Sequence, residues 1–434
     1  MLSDITPALM NNPSKIILET TTRCNLECEM CMKNTCKEPL SESDFNTELF
    51  PKLLPAISHA GSLVLNGIGE PLLVAELETY ILRAKKTMPA GSWIGFQTNG
   101  LLLNLDRALS LCDAGLDKIS VSIDSVDPLS YSRIRSGGEF NSTINALINL
   151  RVARTKIKTS LKIGVELVLR KDNLENLPDV LRFGGEKGID FALVSHLFPY
   201  KPDLADLACY DANLDKAVEI FRKYNDNAKN EGIDLNNYKS SFMHFIKTKE
   251  QDRIAEILRA MTEEAIEQGI TLNLSKLIST DQSLTEKTKE IFDEALTVAR
   301  EYGIELKLPG LVPKSTRRCE FVEEGSAFIS ADGNVHPCYF LWHRYQCYIN
   351  GLEKTVGPKS FGNLADNEFL EIWNSNEFLK FRKNVLKYEY PFCFNCNFAL
   401  CDYVEGENFE QDCYINTEPC AACLWCMDIF QCLF

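Results

Sequence analysis

The chain has no run of about 18 apolar residues, so it has no segment able to cross a bilayer as a helix. Its first residues, MLSDITPALMNNPSK, lack the charged leader and apolar stretch of a secretory signal. Basic residues are short: 46 Lys and Arg face 61 Asp and Glu, a formal net charge of −15. That deficit disfavours nucleic acid as the main partner, because such binding neutralises phosphates with Lys and Arg. Histidine is scarce: His59, His196, His244, His336 and His343 are scattered, and His336 lies two residues before Cys338. A surface or hydrogen-bonded histidine is the ordinary reading of all five. Together these lacks point to a cytoplasmic protein with no membrane partner.

Cysteine, by contrast, is abundant. Seventeen are present: Cys24, Cys28, Cys31 and Cys36 form an early group, Cys112 and Cys209 stand alone, and the rest lie between Cys319 and Cys432. Without a signal peptide, clustered cysteines read as metal or cluster ligands rather than disulfides. At 434 residues, two or three domains are expected.

Apolar, β-branched stretches at 15–20, 62–67, 93–98, 118–124, 163–169 and 190–195 read as buried parallel strands. Helical stretches at 76–87, 104–114, 140–153 and 174–186 alternate with them, which gives an α/β architecture over 12–204. Residues 205–312 carry long charged amphipathic helices and form a helix-rich insertion. Gly188-Ile189-Asp190-Phe191, Gly232-Ile233-Asp234-Leu235, Gly269-Ile270-Thr271-Leu272 and Gly303-Ile304-Glu305-Leu306 each read as a glycine helix cap followed by a short strand. Residues 313–434 form a cysteine-rich domain.

Cys24-x3-Cys28-x2-Cys31 follows the first strand, at the strand end where parallel α/β sheets bind ligands. Three thiolates on one loop can hold three irons of a cubane cluster and leave the fourth open. Zinc is the alternative; it would want a fourth Cys or His at short range, for which Cys36 is available.

With the approach Thr20-Thr21-Thr22-Arg23, this loop resembles the signature of the radical S-adenosylmethionine (SAM) superfamily. Gly67-Ile68-Gly69-Glu70-Pro71 resembles the family's GGEP motif, with Ile68 an imperfection. Thr98-Asn99-Gly100, Ser122-Ile123-Asp124, Ile134-Arg135-Ser136-Gly137-Gly138 and Arg170-Lys171-Asp172-Asn173 match further strand ends in order. The resemblance covers roughly residues 12–200. It implies a partial (β/α)6 barrel and a 4Fe–4S cluster on Cys24, Cys28 and Cys31 whose open iron is chelated by SAM. Reductive cleavage of SAM then yields a 5′-deoxyadenosyl radical that abstracts hydrogen. Met30, Gly69, Glu70, Ser122, Asp124 and Arg135 are the implied SAM contacts, although Met30 stands where the family often has an aromatic ring.

Cys319-x13-Gly333-x4-Cys338, then Phe361-Gly362-Asn363-Leu364, Glu371-Ile372-Trp373-Asn374-Ser375 and Cys393-x2-Cys396-x4-Cys401, resemble the SPASM domain of peptide and protein maturases. That implies one or two auxiliary 4Fe–4S clusters. The pattern departs after Cys401, where Cys413 and Cys420-x2-Cys423-x2-Cys426-x5-Cys432 follow. The expected division gives Cys319 and Cys338 partners from the middle group Cys393, Cys396 and Cys401. It gives a second cluster Cys413, Cys420, Cys423 and Cys432, with Cys347 and Cys426 spare. Zinc ribbons remain the alternative for the paired C-x2-C units. Tyr339 stands where sulfatase-maturing relatives place a catalytic aspartate, which makes it a candidate proton or radical relay, or else a packed aromatic.

Three functions are open on the sequence. The first is a maturase that abstracts hydrogen from a peptide or protein substrate; the tail resembles radical SAM proteins associated with tungsten-cofactor aldehyde:ferredoxin-type oxidoreductases. The second is an enzyme modifying a ribosomally made peptide, by thioether formation or epimerisation; only 23 residues precede Cys24, which leaves no leader-binding domain there. The third is a non-catalytic iron–sulfur carrier or scaffold. The first cluster needs a low-potential donor such as ferredoxin or flavodoxin.

Overall fold

The computed structural model describes residues 6–35, 39–243, 246–396, 401, 406 and 408–431. Six strands lie where the sequence places them: β1 (Lys15–Leu18), β2 (Ser62–Val64), β3 (Trp93–Thr98), β4 (Lys118–Ser122), β5 (Lys162–Leu169) and β6 (Phe191–His196). They pair in parallel and in sequence order. The intervening helices include Leu77–Lys85, Leu105–Ala114, Phe140–Ile157 and Leu177–Glu186. Sequence periodicity alone misses the helix Pro128–Ile134, whose start is capped by Asp127 accepting from the Ser130 N–H.

The sheet grows beyond six strands at both ends. β7 (Glu305–Lys307), from the end of the helix-rich stretch, adds in parallel beside β6. β8 (Ser326–Ile329), from the cysteine-rich stretch, adds in parallel beside β1, and β9 (Val335–His336) returns antiparallel to it. The observed order is therefore β7-β6-β5-β4-β3-β2-β1-β8-β9. A separate hairpin, β10 (Tyr345–Ile349) and β11 (Leu352–Val356), follows.

Alternation along the strands divides the core. Ile16 and Leu18 of β1 pack with the helical layer, while Ile17 faces the other way with Val64, Phe191, Leu193, Phe328 and Tyr339. The cysteine-rich stretch thus supplies part of the inner lining of the sheet.

The helix-rich stretch contains the helices Asp215–Asn230, Lys249–Glu267 and Gln282–Tyr302. Gly188, Gly232, Gly269 and Gly303 all have positive φ, as the cap reading requires. Strands follow only Gly188 and Gly303. After Gly232 comes a 3-10 turn, Leu235–Asn237, and after Gly269 the helix Leu274–Ser279. The apolar residues there, Ile233, Leu235, Ile270 and Leu272, are buried in helical packing rather than on a sheet edge. The expected four strands are therefore two.

Trp373 is fully buried, with Arg382 3.7 Å above its ring and its Nε1 donating to the Met10 carbonyl at 2.9 Å. It ties the N-terminal segment to the cysteine-rich domain. Trp373→Ala should cost about 3–5 kcal/mol, read as a lower urea midpoint for the C-terminal domain; an unchanged midpoint would contradict this packing role.

Candidate functional site

The loop after β1 carries Cys24, Cys28 and Cys31 and is fixed by its backbone. Glu27 N donates to Ser136 O at 2.9 Å, Glu29 N to Ile134 O at 3.1 Å, and Cys31 N to Cys28 O at 3.1 Å. Arg170, buried at the end of β5, donates to Glu29 at 2.8 Å and holds Asp172 with its other nitrogens. Asn99 Nδ2 reaches Asn25 Oδ1 at 2.8 Å. The loop therefore leans on the ends of β3 and β5 and on the end of the helix Pro128–Ile134.

The loop after β2 lies directly against it. Gly69 N donates to Thr21 O, and Glu70 N donates to Arg23 O at 2.8 Å. A Cβ on Gly69 would stand 2.4 Å from Thr21 O, so only glycine permits this approach. Glu70 is buried; it accepts from Leu72 N, from Thr98 Oγ1 at 2.7 Å and from Asn99 N at 2.8 Å. Burial pushes its carboxyl upward, against these donors. Glu70 thus joins the ends of β2 and β3 while still facing the cavity.

Cys24, Cys28, Met30, Cys31, Gly69, Glu70, Ser122 and Arg135 line one cavity of about 310 Å³. Asp124 does not. It sits behind Arg135, in an ion pair of 2.6 Å, and accepts from Val168 N at 2.8 Å. Asp124 is placed to orient Arg135 rather than to touch a ligand. Burial opposes the charge of Arg135, but Asp124 and then Cys28 hold it up.

Burial raises all three loop thiols, Cys31 to about 12. Without a metal they stay protonated; a ligating metal centre would bind them as thiolates. The donor set fits a cluster held by three thiolates. Among the described residues, no group of three or more Cys, His, Asp or Glu is set to hold a single ion. A single zinc draws its ligands to about 2.0–2.3 Å from one point, whereas a cubane spreads them over several irons. Cys36 lies outside the described residues.

Among the cavity residues that escape the motif reading are Glu166, Tyr200 and Trp342. Glu166 left a signal, a lone charge within the apolar run 163–169. It is paired in register with Ser122 on β4. Trp342 stands four residues after Cys338. Tyr339 does not line this cavity; it packs on Phe328 and Trp342, at 5.3 and 4.9 Å between ring centroids. Of its two expected roles the geometry favours the packed aromatic, and Trp342 is the aromatic that reaches the cavity.

The C-terminal cysteines divide differently from expectation. Cys319, Cys338, Cys420, Cys423 and Cys426 line a second cavity together. Burial raises Cys319, Cys420 and Cys423, and Cys338 to about 12, while contact with Cys423 and then Arg317 holds Cys426 down. Cys393, Cys396, Cys401 and Cys413 form another group within electrostatic reach of one another. Cys319 and Cys338 thus share a cavity with Cys420, Cys423 and Cys426 and not with the middle group or Cys413, and Cys426 is not spare by position; Cys393 meets the tail in a separate apolar cluster with Tyr390, Ala421 and Cys420. The reason is chain path: Gly310, Lys314 and Arg318 donate from their backbone N–H to Asp428, Met427 and Cys426, laying the tail beside Cys319. Cys347 is buried in the β10–β11 hairpin near Lys354. Cys432 lies outside the described residues.

Burial raises Glu166 from the ordinary 4.5 to about 7. The unfolded chain therefore releases this proton first, and stability falls as pH rises from about 4.5 to about 7. Glu166→Gln should flatten that part of the profile, measured as urea midpoints at pH 5 and 7.5. An identical slope in the variant would show that Glu166 does not titrate in this window.

The first cysteine loop and most of the cavity lining fall in residues 18–184, which match the radical SAM superfamily; Tyr200 and Trp342 of the lining lie beyond them. Residues 319–397 match SPASM, an iron–sulfur cluster-binding domain. The tungsten-containing aldehyde ferredoxin oxidoreductase cofactor-modifying protein of Pyrococcus furiosus is 29% identical over 425 residues, 96% of each chain. A GTP 3′,8-cyclase of Synechococcus sp. is 30% identical over 191 residues, 42% of this chain and 54% of that one. The structure of Streptococcus suis SuiB bound to precursor peptide SuiA is 12% identical, with a TM-score of 0.50, covering 90% of this chain and 71% of that one; this is a likeness of fold. Among the described residues no helix is long and apolar enough to cross a membrane. Residues 18–184 are thus a radical SAM domain and residues 319–397 a SPASM iron–sulfur domain, and together they imply an enzyme with SAM and 4Fe–4S chemistry.

Proposed function

We propose that this chain is a maturase that takes hydrogen from a peptide or protein substrate while maturing a tungsten-cofactor oxidoreductase of the aldehyde:ferredoxin type. The cavity that joins three thiols to the Gly69–Glu70 loop, Ser122 and Arg135 supports the chemistry. The end-to-end likeness to a cofactor-modifying protein supports the tungsten assignment.

Cys24, Cys28 and Cys31 would hold the first cluster. Met30, Gly69, Glu70, Ser122 and Arg135 would face SAM, with Asp124 orienting Arg135. Bound there, the cluster and SAM supply a 5′-deoxyadenosyl radical able to take a hydrogen atom from substrate. The protein's own residues do the rest. Gly69 lets backbone approach the ligand, Glu70 offers a carboxylate beside the loop, and Trp342 and Tyr200 shield the cavity from water. Auxiliary clusters would take one ligand set from Cys319, Cys338, Cys420, Cys423 and Cys426, and another from Cys393, Cys396, Cys401 and Cys413. A ferredoxin or flavodoxin is the expected electron donor.

The test is anaerobic reconstitution, addition of SAM and reductant, and assay of 5′-deoxyadenosine. Product should form with the wild-type chain and fall at least about a hundredfold in Cys28→Ala. Product formation should rise when an immature tungsten oxidoreductase is added, and not with a short precursor peptide. No product from a chain with intact clusters would leave an iron–sulfur carrier. Stimulation by the peptide alone would replace the tungsten assignment.

A further inference from the structure

Arg317 is buried, with 6% of its surface exposed, and stands on the wall of the five-thiol cavity. Its Nη1 donates to the Cys420 carbonyl at 3.0 Å and points to Cys426 Sγ at 3.6 Å. Its Nη2 donates to the carbonyls of Pro391 at 2.8 Å and Ala421 at 3.1 Å. The guanidinium carbon lies 4.8 Å from the centre of the Phe392 ring. Nε is buried and has no hydrogen-bond partner among the described residues.

Among the described residues Arg317 has no carboxylate in an ion pair. Arg135 has Asp124, and Arg170 has Glu29 and Asp172. A buried, permanently charged guanidinium without an anion is costly. Arg382 shows one solution: it rests on the rings of Trp373 and Phe378, and burial lowers it to about 10. Arg317 instead lines one cavity with Cys319, Cys338, Cys420, Cys423 and Cys426 and aims an N–H at the Cys426 sulfur. The anion that matches it is a group of thiolates.

We propose that Arg317 is a positioning residue that mounts the Cys420–Cys426 segment and, through its charge, raises the reduction potential of the auxiliary cluster held there. This rests on the proposed assignment of those thiols to a cluster. Adding an electron to a thiolate-bound cluster makes it more negative. A fixed cation with an N–H aimed at a ligand sulfur therefore favours the reduced form, since charge and hydrogen bonds to sulfur are among the levers that set cluster potential. The fork geometry serves the second task, because three carbonyls from two separate segments converge on one planar group.

The experiment uses the full chain carrying Cys24→Ala, Cys28→Ala, Cys31→Ala, Cys393→Ala and Cys396→Ala, so that the five-thiol cavity is the remaining cluster site. Iron content is measured first, then the potential by EPR-monitored titration. With iron retained, Arg317→Gln should lower the potential by at least 59 mV, a tenfold change in the one-electron equilibrium, and Arg317→Lys should lower it less. Iron lost in Arg317→Gln but kept in Arg317→Lys would also support the role of charge. An unchanged potential in Arg317→Gln would overturn the proposal. So would an equal drop in both variants, or equal loss of iron from both, which would leave a purely structural residue. A background chain that binds no iron at all would overturn the ligand assignment itself, and iron content tells that result from the others.

Discussion

Burying a thiolate away from water is unfavourable unless positive charge stands beside it, and the three cysteine groups of this chain all meet that constraint in the same way. Burial raises the thiols of the first loop, most of those in the five-thiol cavity and Cys393 of the third group. Each group also contains one buried cation: Arg135 beside Cys28, Arg317 beside Cys426, and Lys354 beside Cys393 and Cys401. The cations differ in kind. Arg135 is neutralised by Asp124, Arg317 has only carbonyls and sulfur, and Lys354 is a point charge that burial pushes downward. Thiol-rich cavities with a single cation are suited to bind a metal centre that carries positive charge of its own.

The sheet brings two of these groups onto one frame. β1 ends at the first cysteine loop, and its neighbour β8 belongs to the cysteine-rich domain. Glu19, the residue after β1, is wholly buried between them. Its carboxylate accepts from Ile68 N at 2.9 Å, from Ala331 N at 3.0 Å and from His343 Nε2 at 3.1 Å. One side chain therefore fixes the loop after β2, the turn after β8 and the segment running from Cys338 to His343. Trp342 in that segment reaches the first cavity. The C-terminal domain is thus part of the wall of the first cavity, not an appendage.

Much of this was legible in the sequence because strand-end motifs are local. The order of β1 to β6 follows from apolar runs, and Cys24, Cys28, Cys31, Gly69, Glu70, Ser122 and Arg135 meet because successive parallel strands end on one side. What was not legible depends on chain path over long separations. The pairing of β8 with β1 joins residues about 310 positions apart, and no local pattern encodes it. The regrouping of the C-terminal cysteines has the same origin: spacing shows which thiols are near in sequence, while backbone bonds from Gly310, Lys314 and Arg318 to the tail decide which are near in space. Asp124 was found as a motif residue, but its place behind Arg135 needed the fold. Glu166 was visible only as an odd charge in an apolar strand.

The central claim is that Cys24, Cys28 and Cys31 leave one iron open to a ligand from SAM. EPR of the reduced, reconstituted protein with and without SAM tests it most directly. The account predicts that SAM alters the spectrum of one cluster, and that this response vanishes in Cys24→Ala while the auxiliary signals remain. A first cluster present by iron content but with a spectrum indifferent to SAM would contradict it.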